Sequence, residues 1–329
     1  MLDEIRNKFE HALEERLMNL VGTENQGLND MIRYHFGWHD PLAQRGKRLR
    51  PIIHLLATMA FGKTFEDGIN SAIALEVFHN FTLVHDDIQD KGQFRQGRPA
   101  LWTTEYGFEQ AINTGDFLAY AAFAILNQDN NTFEDHHLTQ LNRAFTGAGL
   151  DVMRGQYLDM LYEQEDIISL EQYLEMIRHK TSRLFSLAFE MAGLISTVPV
   201  ETLSLLRAVG TNIGIAFQIQ DDYLGIWGNS NITGKSTSTD IMTKKKTYPI
   251  ILGLNSVPEI TELWKNKTPL NDETIRAITR HLTDSGIHER TLSAARKYKE
   301  KALSDFYNIF KVDTPWRNTL YEVLETMIR

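Results

Sequence analysis

The chain has 329 residues, 42% of them hydrophobic, carries a net charge of −9 and contains no cysteine. This length and composition allow a large buried core, and the acidic balance argues against a general nucleic-acid binder. The lack of cysteine excludes disulfides and thiolate metal sites, which fits a reducing compartment. The first predicted element is an amphipathic helix from Leu2 to Leu17, whose interleaved acidic residues are unlike a secretory signal.

Apolar residues keep helical spacing along most of the remaining sequence, which contains only 8 prolines. The predicted helices cover residues 51–61, 69–90, 108–127, 136–163, 170–195, 201–228, 273–283, 289–310 and 315–328. Two segments, Ser71–Asp90 and Thr202–Gly225, are apolar on more than one face and are expected to lie centrally. We therefore predict an all-α fold, with one large helical bundle domain over residues 1–329. The longest uncharged apolar run, Phe117–Leu126, is too short to cross a bilayer, so no transmembrane segment and a cytoplasmic location are expected.

An acidic cluster of Asp86, Asp87 and Asp90 ends the apolar run that precedes it. On a helix, Asp86 and Asp90 lie one turn apart on the same face, and Asp87 points roughly 100° aside. A divalent cation would relieve the repulsion between them, and carboxylate oxygens suit Mg²⁺. Alone, this cluster is equally compatible with a solvated acidic helix end.

A second acidic pair, Asp221 and Asp222, ends another strongly apolar segment. Carboxylates seldom occupy buried helix faces unless they are paired or bind a metal. The two clusters together favour one cleft with carboxylates on facing walls over two unrelated helix ends.

Basic residues accompany both clusters. Lys47, Arg48 and Arg50 stand just before an apolar helix, and because a helix N-terminus already attracts anions, cations there predict a phosphate receptor. Further cations follow the clusters, namely Arg95, Arg98, Lys180, Lys235 and Lys244–Lys246. Carboxylates for Mg²⁺, cations for phosphate and an apolar interior predict a diphosphate substrate with an apolar tail. The sequence contains no glycine-rich P-loop, nucleophile elbow or zinc triad.

Seven motifs in order resemble the trans-isoprenyl diphosphate synthase (polyprenyl synthetase) family. They are GKRLRP at 46–51, HNFTLVHDDIQD at 79–90, FRQGRPALW at 94–102, GQYLD at 155–159, HKTSRLF at 179–185, FQIQDDYLG at 217–225 and DIMTKKKTYP at 240–249. Each motif alone is weak, but the ordered set is specific. The resemblance implies a homodimer of the isoprenoid synthase type, with a deep central cavity in the helical bundle.

The resemblance also implies roles for individual residues. Mg²⁺ would be held by the catalytic residues Asp86, Asp90 and Asp221, with Asp87 and Asp222 near by. Contacts with the allylic diphosphate are implied for Arg95, Gln218, Lys235 and the catalytic Lys180. The diphosphate of isopentenyl diphosphate would be bound by Lys47, Arg50 and His79. Thr181 and Lys245 match motif positions near the reacting carbons and phosphates.

The implied reaction is a Mg²⁺-dependent, head-to-tail condensation of isopentenyl diphosphate with dimethylallyl, geranyl or farnesyl diphosphate. The allylic C–O bond ionises, the double bond of isopentenyl diphosphate attacks the carbocation, and a proton is lost, for which the departed diphosphate is a plausible base. Two alternatives remain: a terpene cyclase, which would not need the GKRLRP site, and a non-catalytic subunit of a heteromeric synthase.

Two positions depart from the family pattern. Gln96 stands where a second arginine is usual, which should weaken binding of the homoallylic diphosphate at this substrate-binding position. Gly225 stands where the second acidic motif often ends in Asp, and Asp240 is a candidate to compensate for the missing carboxylate.

Two aromatic residues before the first acidic cluster are candidate determinants of product length. Phe81 precedes Asp86 by five residues and Phe78 by eight, so both rings lie on one helix face. At about 1.5 Å per residue, Phe81 lies about 7–8 Å along the axis from Asp86. Such a ring resembles the arrangement in C20, geranylgeranyl-type synthases, with C15 as the near alternative. Both rings are equally compatible with an ordinary core.

Overall fold

The computed structural model describes residues 1–40, 42–128, 135–228, 239–265 and 270–328. The helices are α1 Leu2–Val21, α2 Gln26–Phe36, α3 Leu49–Ala60, α4 Phe65–Gln89, α5 Gly107–Leu126, α6 Asp135–Glu163, α7 Leu170–Ile177, α8 Arg183–Ile195, α9 Val200–Trp227, α10 Thr239–Met242, α11 Tyr248–Ser256, α12 Pro258–Trp264, α13 Asp272–Asp284, α14 Ile287–Ile309 and α15 Pro315–Met327. In these ranges the strands are confined to one hairpin, β1 Phe94–Arg95 and β2 Arg98–Pro99, and a 3₁₀ turn spans Leu101–Thr103. The prediction of an all-α fold is confirmed.

The chain divides into two compact units, each built from three separate segments. Unit 1 comprises Met1–Phe145, Ala188–Leu203 and Val312–Leu320. Unit 2 comprises Thr146–Leu187, Ser204–Lys311 and Tyr321–Arg329. The single domain over residues 1–329 stays a prediction from the sequence.

Helix α4 is the central element of unit 1, as its apolar sequence predicts. It begins at a capping box in which the Thr64 hydroxyl accepts from Asp67 N–H while the Asp67 carboxylate accepts from Thr64 N–H. Every residue from Gly68 to Phe78 is buried, so the helix is enclosed on all sides over three turns. Its last turn carries the first acidic cluster, with Asp90 as the C-cap.

Unit 2 has its own apolar core near the C-terminal end of α9. Buried residues of α9 to α13 form it, with one from α14; they are Ile226, Ile241, Ile250, Leu254, Ile260, Trp264, Leu270, Ile275, Ile278, Leu282 and Ile287. This core fixes the position of the segment that follows the second acidic pair.

Some sequence expectations need correction. The predicted helix over 170–195 is interrupted by a π-helical turn at Arg178–Ser182. Helices α2, α10, α11 and α12 were not predicted: all four are short, and the apolar run at the start of α11 has no helical period. In the ranges that the structure describes, no helix is long and apolar enough to span a membrane.

Candidate active site

The first acidic cluster lies in the last turn of α4, within unit 1. The helix is continuous through it, since Asp90 N–H donates to the carbonyl of Asp86 at 2.8 Å. Asp86 and Asp90 therefore share one helix face, and both are partly exposed. The arrangement offers two accessible carboxylates one turn apart.

Asp87 has a different environment from its neighbours. Its side chain is 6% exposed, and the Arg95 guanidinium donates to both carboxylate oxygens, from Nε at 3.1 and 3.0 Å and from Nη2. The Arg95 Nη2 atom also lies 3.8 Å from Asp86 Oδ2. Burial raises the pKa of Asp87, while the bonds from Arg95 act in the opposite direction. Asp87 thus fixes Arg95 beside the exposed carboxylates.

The β1–β2 hairpin positions Arg95. Its two turn residues, Gln96 and Gly97, have φ values of 51° and 75°, as a two-residue type I′ turn requires. The Gln96 amide nitrogen lies 3.3 Å from the point where a Cβ on Gly46 would stand. The hairpin therefore brings Gln96 against the loop that carries the GKRLRP motif.

The three cations of the GKRLRP motif have different surroundings. Arg48 is buried and donates to Glu10 from Nε and Nη2, each at 3.0 Å, and to Glu76 from Nη1 at 2.9 Å. Its charge is neutralised inside the protein, so Arg48 is a structural residue. Lys47 is exposed, and Arg50 is the partly buried second residue of α3.

Arg50 donates from Nη1 to His79 Nε2 at 3.0 Å, which joins two of the predicted substrate-binding residues. Burial lowers the pKa of Arg50 to about 10. Burial and the nearby Arg50 charge hold the pKa of His79 well below its usual value, so the ring is neutral and accepts the bond. This pair is suited to bind an anion rather than to serve as a general base.

An aromatic cluster extends along α4 from the acidic residues. The Phe81 ring lies 5.3 Å from Phe78 and 4.9 Å from His85, and the Phe78 ring lies 5.3 Å from Phe145 of α6. A Cβ on Gly115 would fall 2.3 Å from the His85 ring, so any larger residue at position 115 would displace that ring. Phe78 and Phe81 are both buried, and the rings form a continuous apolar group that begins one turn from Asp86.

In unit 2, Lys180 lies within the π-helical turn and donates to the Asp159 carboxylate of α6. Such turns inside helices are often found at functional sites. Two helices approach this turn very closely: a Cβ on Gly155 of α6 would lie 2.2 Å from Lys180 N, and one on Gly214 of α9 would lie 2.4 Å from Ser182 Cα. Glycine at both positions therefore allows the backbones to meet and fixes Lys180 and Thr181.

Asp222 is the centre of a buried hydrogen-bond chain in unit 2. Its carboxylate accepts from the Tyr173 hydroxyl at 2.6 Å, from Gln218 Nε2 at 2.9 Å and from Tyr248 N–H at 2.8 Å. Gln218 Oε1 in turn accepts from the Thr181 hydroxyl at 2.7 Å. Burial raises the pKa of Asp222 to about 7, against the lowering effect of the three donors. Asp221, on the neighbouring face of α9, is exposed.

Two of the three consecutive lysines before α11 bind backbone carbonyls. Lys244 donates to the carbonyl of Trp264 and Lys246 to that of Glu163, each at 2.8 Å. These two ammonium groups anchor the segment, and partly buried Lys245 lies between them in the sequence. Lys235, also predicted to bind diphosphate, lies outside the described residues.

The Asp240 carboxylate lies against Gly225. A Cβ at this position would fall 2.3 Å from Asp240 Oδ2. Residue 225 is one turn from Asp221 on the same face of α9. The Asp240 carboxylate therefore occupies the space that the side chain of an acidic residue at position 225 would enter.

The donor chemistry of these residues fits Mg²⁺, which takes one or two protein carboxylates and completes its shell with waters and substrate phosphate oxygens. Across the described ranges, no three His, Asp or Glu side chains form a ready-made metal cage. Asp86 and Asp90 are partly exposed and Asp221 is exposed, whereas Asp87 and Asp222 are buried.

Several residues of the site were not predicted from the sequence. Asp159 and Gly155 lie in a recognised motif, GQYLD, but nothing in the sequence showed that they contact the Lys180 turn. Tyr173 carried no signal at all, because a tyrosine on an amphipathic helix is ordinary core.

Comparisons with known proteins agree with this geometry. The polyprenyl synthetase family profile matches residues 30–282. The chain is 32% identical over 325 residues to a geranylgeranyl pyrophosphate synthase of Geoglobus acetivorans, covering 98% of this chain and 95% of the relative. It is 33% identical over 290 residues to a geranylfarnesyl diphosphate synthase of Aeropyrum pernix, covering 86% and 90% of the two chains. The crystal structure of a geranylgeranyl pyrophosphate synthase superposes with a TM-score of 0.89 at 30% identity, covering 100% of this chain and 98% of the other.

Proposed function

The chain belongs to the polyprenyl synthetase family, and on that premise we propose that it condenses isopentenyl diphosphate with an allylic diphosphate to give a short-chain product. The observation that carries the proposal is the pair of partly exposed carboxylates Asp86 and Asp90 beside Arg95, in the same unit as the Arg50–His79 pair. A transferase that uses two diphosphates needs both a metal-binding group and a separate cationic group, and unit 1 contains both.

By the resemblance to the family, we assign these polar groups to one reaction. Asp86, Asp90 and Asp221 would hold Mg²⁺, which supplies electrostatic stabilisation of the leaving diphosphate when bound. Arg95 and Lys180 would bind that diphosphate together with Gln218, Lys235 and Lys245. Arg95 and Lys180 are already oriented by Asp87 and Asp159, and because arginine has five donors and lysine three, each can bind phosphate without leaving its carboxylate.

The order of events follows from these groups. Cations around the allylic diphosphate stabilise the negative charge that develops as the C–O bond breaks. Lys47, Arg50 and His79 would hold isopentenyl diphosphate so that its double bond can attack the carbocation. The proton lost from the new chain would pass to the released diphosphate, because His79 is bonded to Arg50 and its pKa is depressed.

The test is a product assay with the purified chain, Mg²⁺, labelled isopentenyl diphosphate and each of dimethylallyl, geranyl and farnesyl diphosphate. An elongated product that EDTA abolishes would support the proposal. A cyclic hydrocarbon would instead identify a terpene cyclase. No product from any starter would favour the non-catalytic subunit, with Gln96 and Gly225 as the first residues to examine.

We expect a C20 product, with C15 next, because a product chain that grows along α4 would meet the buried rings of Phe81 and Phe78. Replacing Phe81 with Ala should lengthen the product by one or more C5 units, since it removes a buried ring one to two turns from Asp86. Product length is read by chromatography after the diphosphate is removed. A Phe9→Ala variant, which truncates a buried ring of α1, controls for the stability loss of about 3–5 kcal/mol that such a cavity causes. An unchanged product from Phe81→Ala would refute the assignment.

We further propose that Asp240 takes the part of the carboxylate missing at Gly225. Asp240→Ala should raise the Mg²⁺ concentration for half-maximal activity about 10- to 100-fold, the range typical for loss of a supporting metal-site residue. Gly225→Asp in the Asp240→Ala background moves the carboxylate back onto α9 and should restore the wild-type requirement. If the Asp240→Ala variant alone had the wild-type Mg²⁺ requirement, this role of Asp240 would be excluded.

A homodimer is supported by an apolar stripe on α6. Leu150, Met153, Tyr157 and Leu161 recur at helical spacing and are exposed, Leu150 by 57% and Tyr157 by 66%. Contiguous exposed apolar surface of this kind is typical of an interface. Sedimentation equilibrium should give twice the mass of one chain, and a monomer at micromolar concentration would contradict the proposal. A cytoplasmic location stays a prediction, which cell fractionation would test.

A further inference from the structure

Tyr173 lies on α7 and is not one of the residues assigned above to substrate or metal. Its side chain is 1% exposed, and its ring packs against Tyr248 with the centroids 5.8 Å apart. The hydroxyl is directed at Asp222 Oδ2 at 2.6 Å, the shortest of the three bonds that this carboxylate accepts. Burial and that carboxylate hold the pKa of Tyr173 well above its ordinary value, so the hydroxyl keeps its proton and donates.

The position of the Asp222 carboxylate decides the orientation of Gln218. Asp222 Oδ2 accepts from Tyr173 and Tyr248, and its Oδ1 accepts from Gln218 Nε2 at 2.9 Å, so the NH₂ end of the Gln218 carboxamide faces the carboxylate. The Gln218 carbonyl then faces Thr181, and the Thr181 hydroxyl must donate to it. As a result, the Thr181 hydroxyl is committed as a donor to Gln218.

Asp222 also connects this chain of bonds to α11. Its Oδ2 accepts the N–H of Tyr248, the first residue of α11, which follows the three lysines after one residue, Thr247. The Asp222 carboxylate therefore fixes the Gln218–Thr181 pair relative to the start of α11 within unit 2. With three bonds accepted in a buried position, Asp222 is better suited to this task than to binding a metal.

We propose that Tyr173 is a positioning residue of the prenyl transfer: through Asp222 it fixes the Gln218 carboxamide, and thereby the direction in which the Thr181 hydroxyl donates. This inference rests on the proposed function. It assigns Asp222 to the same positioning task, in place of the metal-binding role implied by the sequence.

The first test is Tyr173→Phe, which removes one oxygen and retains the ring. We expect kcat to fall about 10- to 100-fold, because a misplaced group near the reacting atoms costs rate rather than affinity. The KM values for both diphosphates should change less than about threefold. Tyr162→Phe is the matched control, since Tyr162 is also a buried tyrosine of unit 2 but lies on α6. It should keep the wild-type kcat.

A double-mutant cycle separates positioning from simple structural support. If Tyr173 acts through Gln218, Tyr173→Phe should have little further effect on kcat in a Gln218→Ala background. Additive losses of kcat, or a Tyr173→Phe variant within twofold of wild type, would overturn the proposal. Absence of turnover by the wild-type chain would instead overturn the proposed function, so the two failures are distinguishable.

Asp222→Asn provides a second test, which also applies if Tyr173→Phe does not fold. The new amide would present NH₂ toward Gln218 and reverse its carboxamide, so kcat should fall while the Mg²⁺ concentration for half-maximal activity stays the same. A raised Mg²⁺ requirement would show that Asp222 binds metal and would overturn the positioning assignment. A wild-type kcat would overturn it as well.

Discussion

Asp86→Asn is expected to lower kcat by at least about 10²–10³-fold while leaving the free energy of unfolding nearly unchanged. The Asp86 side chain is 22% exposed, and its 3.8 Å approach to Arg95 is looser than the direct bonds from Arg95 to Asp87. Because the Asp86 side chain is partly exposed, we expect the fold to depend on its charge less than stabilisation of the leaving diphosphate does. Steady-state kinetics with saturating Mg²⁺ and a urea unfolding curve measure the two quantities.

Asp87, next to Asp86, is expected to affect stability strongly. Asp87→Asn removes the main partner of a largely buried guanidinium and should cost about 3–5 kcal/mol of stability. Asp313→Asn, at an exposed position between α14 and α15 in unit 1, should alter neither stability nor kcat. If Asp86→Asn retained kcat within about fivefold of wild type, Asp86 could not be a metal ligand in the reaction.

Gly155→Ala is expected to destabilise unit 2 by about 1–3 kcal/mol or more and to abolish most activity. The added methyl group would lie 2.2 Å from Lys180 N, 2.6 Å from Lys180 Cα and 2.7 Å from His179 C. These are backbone atoms of the π-helical turn, so no side-chain rotation can relieve the clash. The turn must move, and Lys180 and Thr181 move with it.

Gly147→Ala is the matched control, because it lies on the same helix, α6, and nothing stands within 4 Å of the new methyl group. There, alanine should stabilise the protein by about 0.4–1 kcal/mol, since it restricts the unfolded chain and favours helix. Melting temperature and kcat, measured for both variants, decide the matter. Equal behaviour of the two alanines would mean that the contact between α6 and the turn has no role.

The helical class, the place of the acidic pairs and the identity of the family all follow from the order of the amino acids alone. These properties are local or compositional: helical periodicity is set by neighbours a few residues apart, and the motifs are contiguous runs. The prediction that α4 is enclosed on several faces also held, because an apolar circumference has only one stable environment in water.

The task of each residue within a motif depends instead on tertiary contacts. Among the three cations of the GKRLRP motif, Arg48 is neutralised by Glu10 and Glu76, and only long-range packing brings those carboxylates to it. Asp87 and Asp222 read like their neighbours in the sequence but accept bonds from Arg95 and Tyr173, residues 8 and 49 positions away. Charge and spacing show that a residue can bind a ligand. Whether it is accessible to do so depends on contacts between distant segments, which a single sequence does not record.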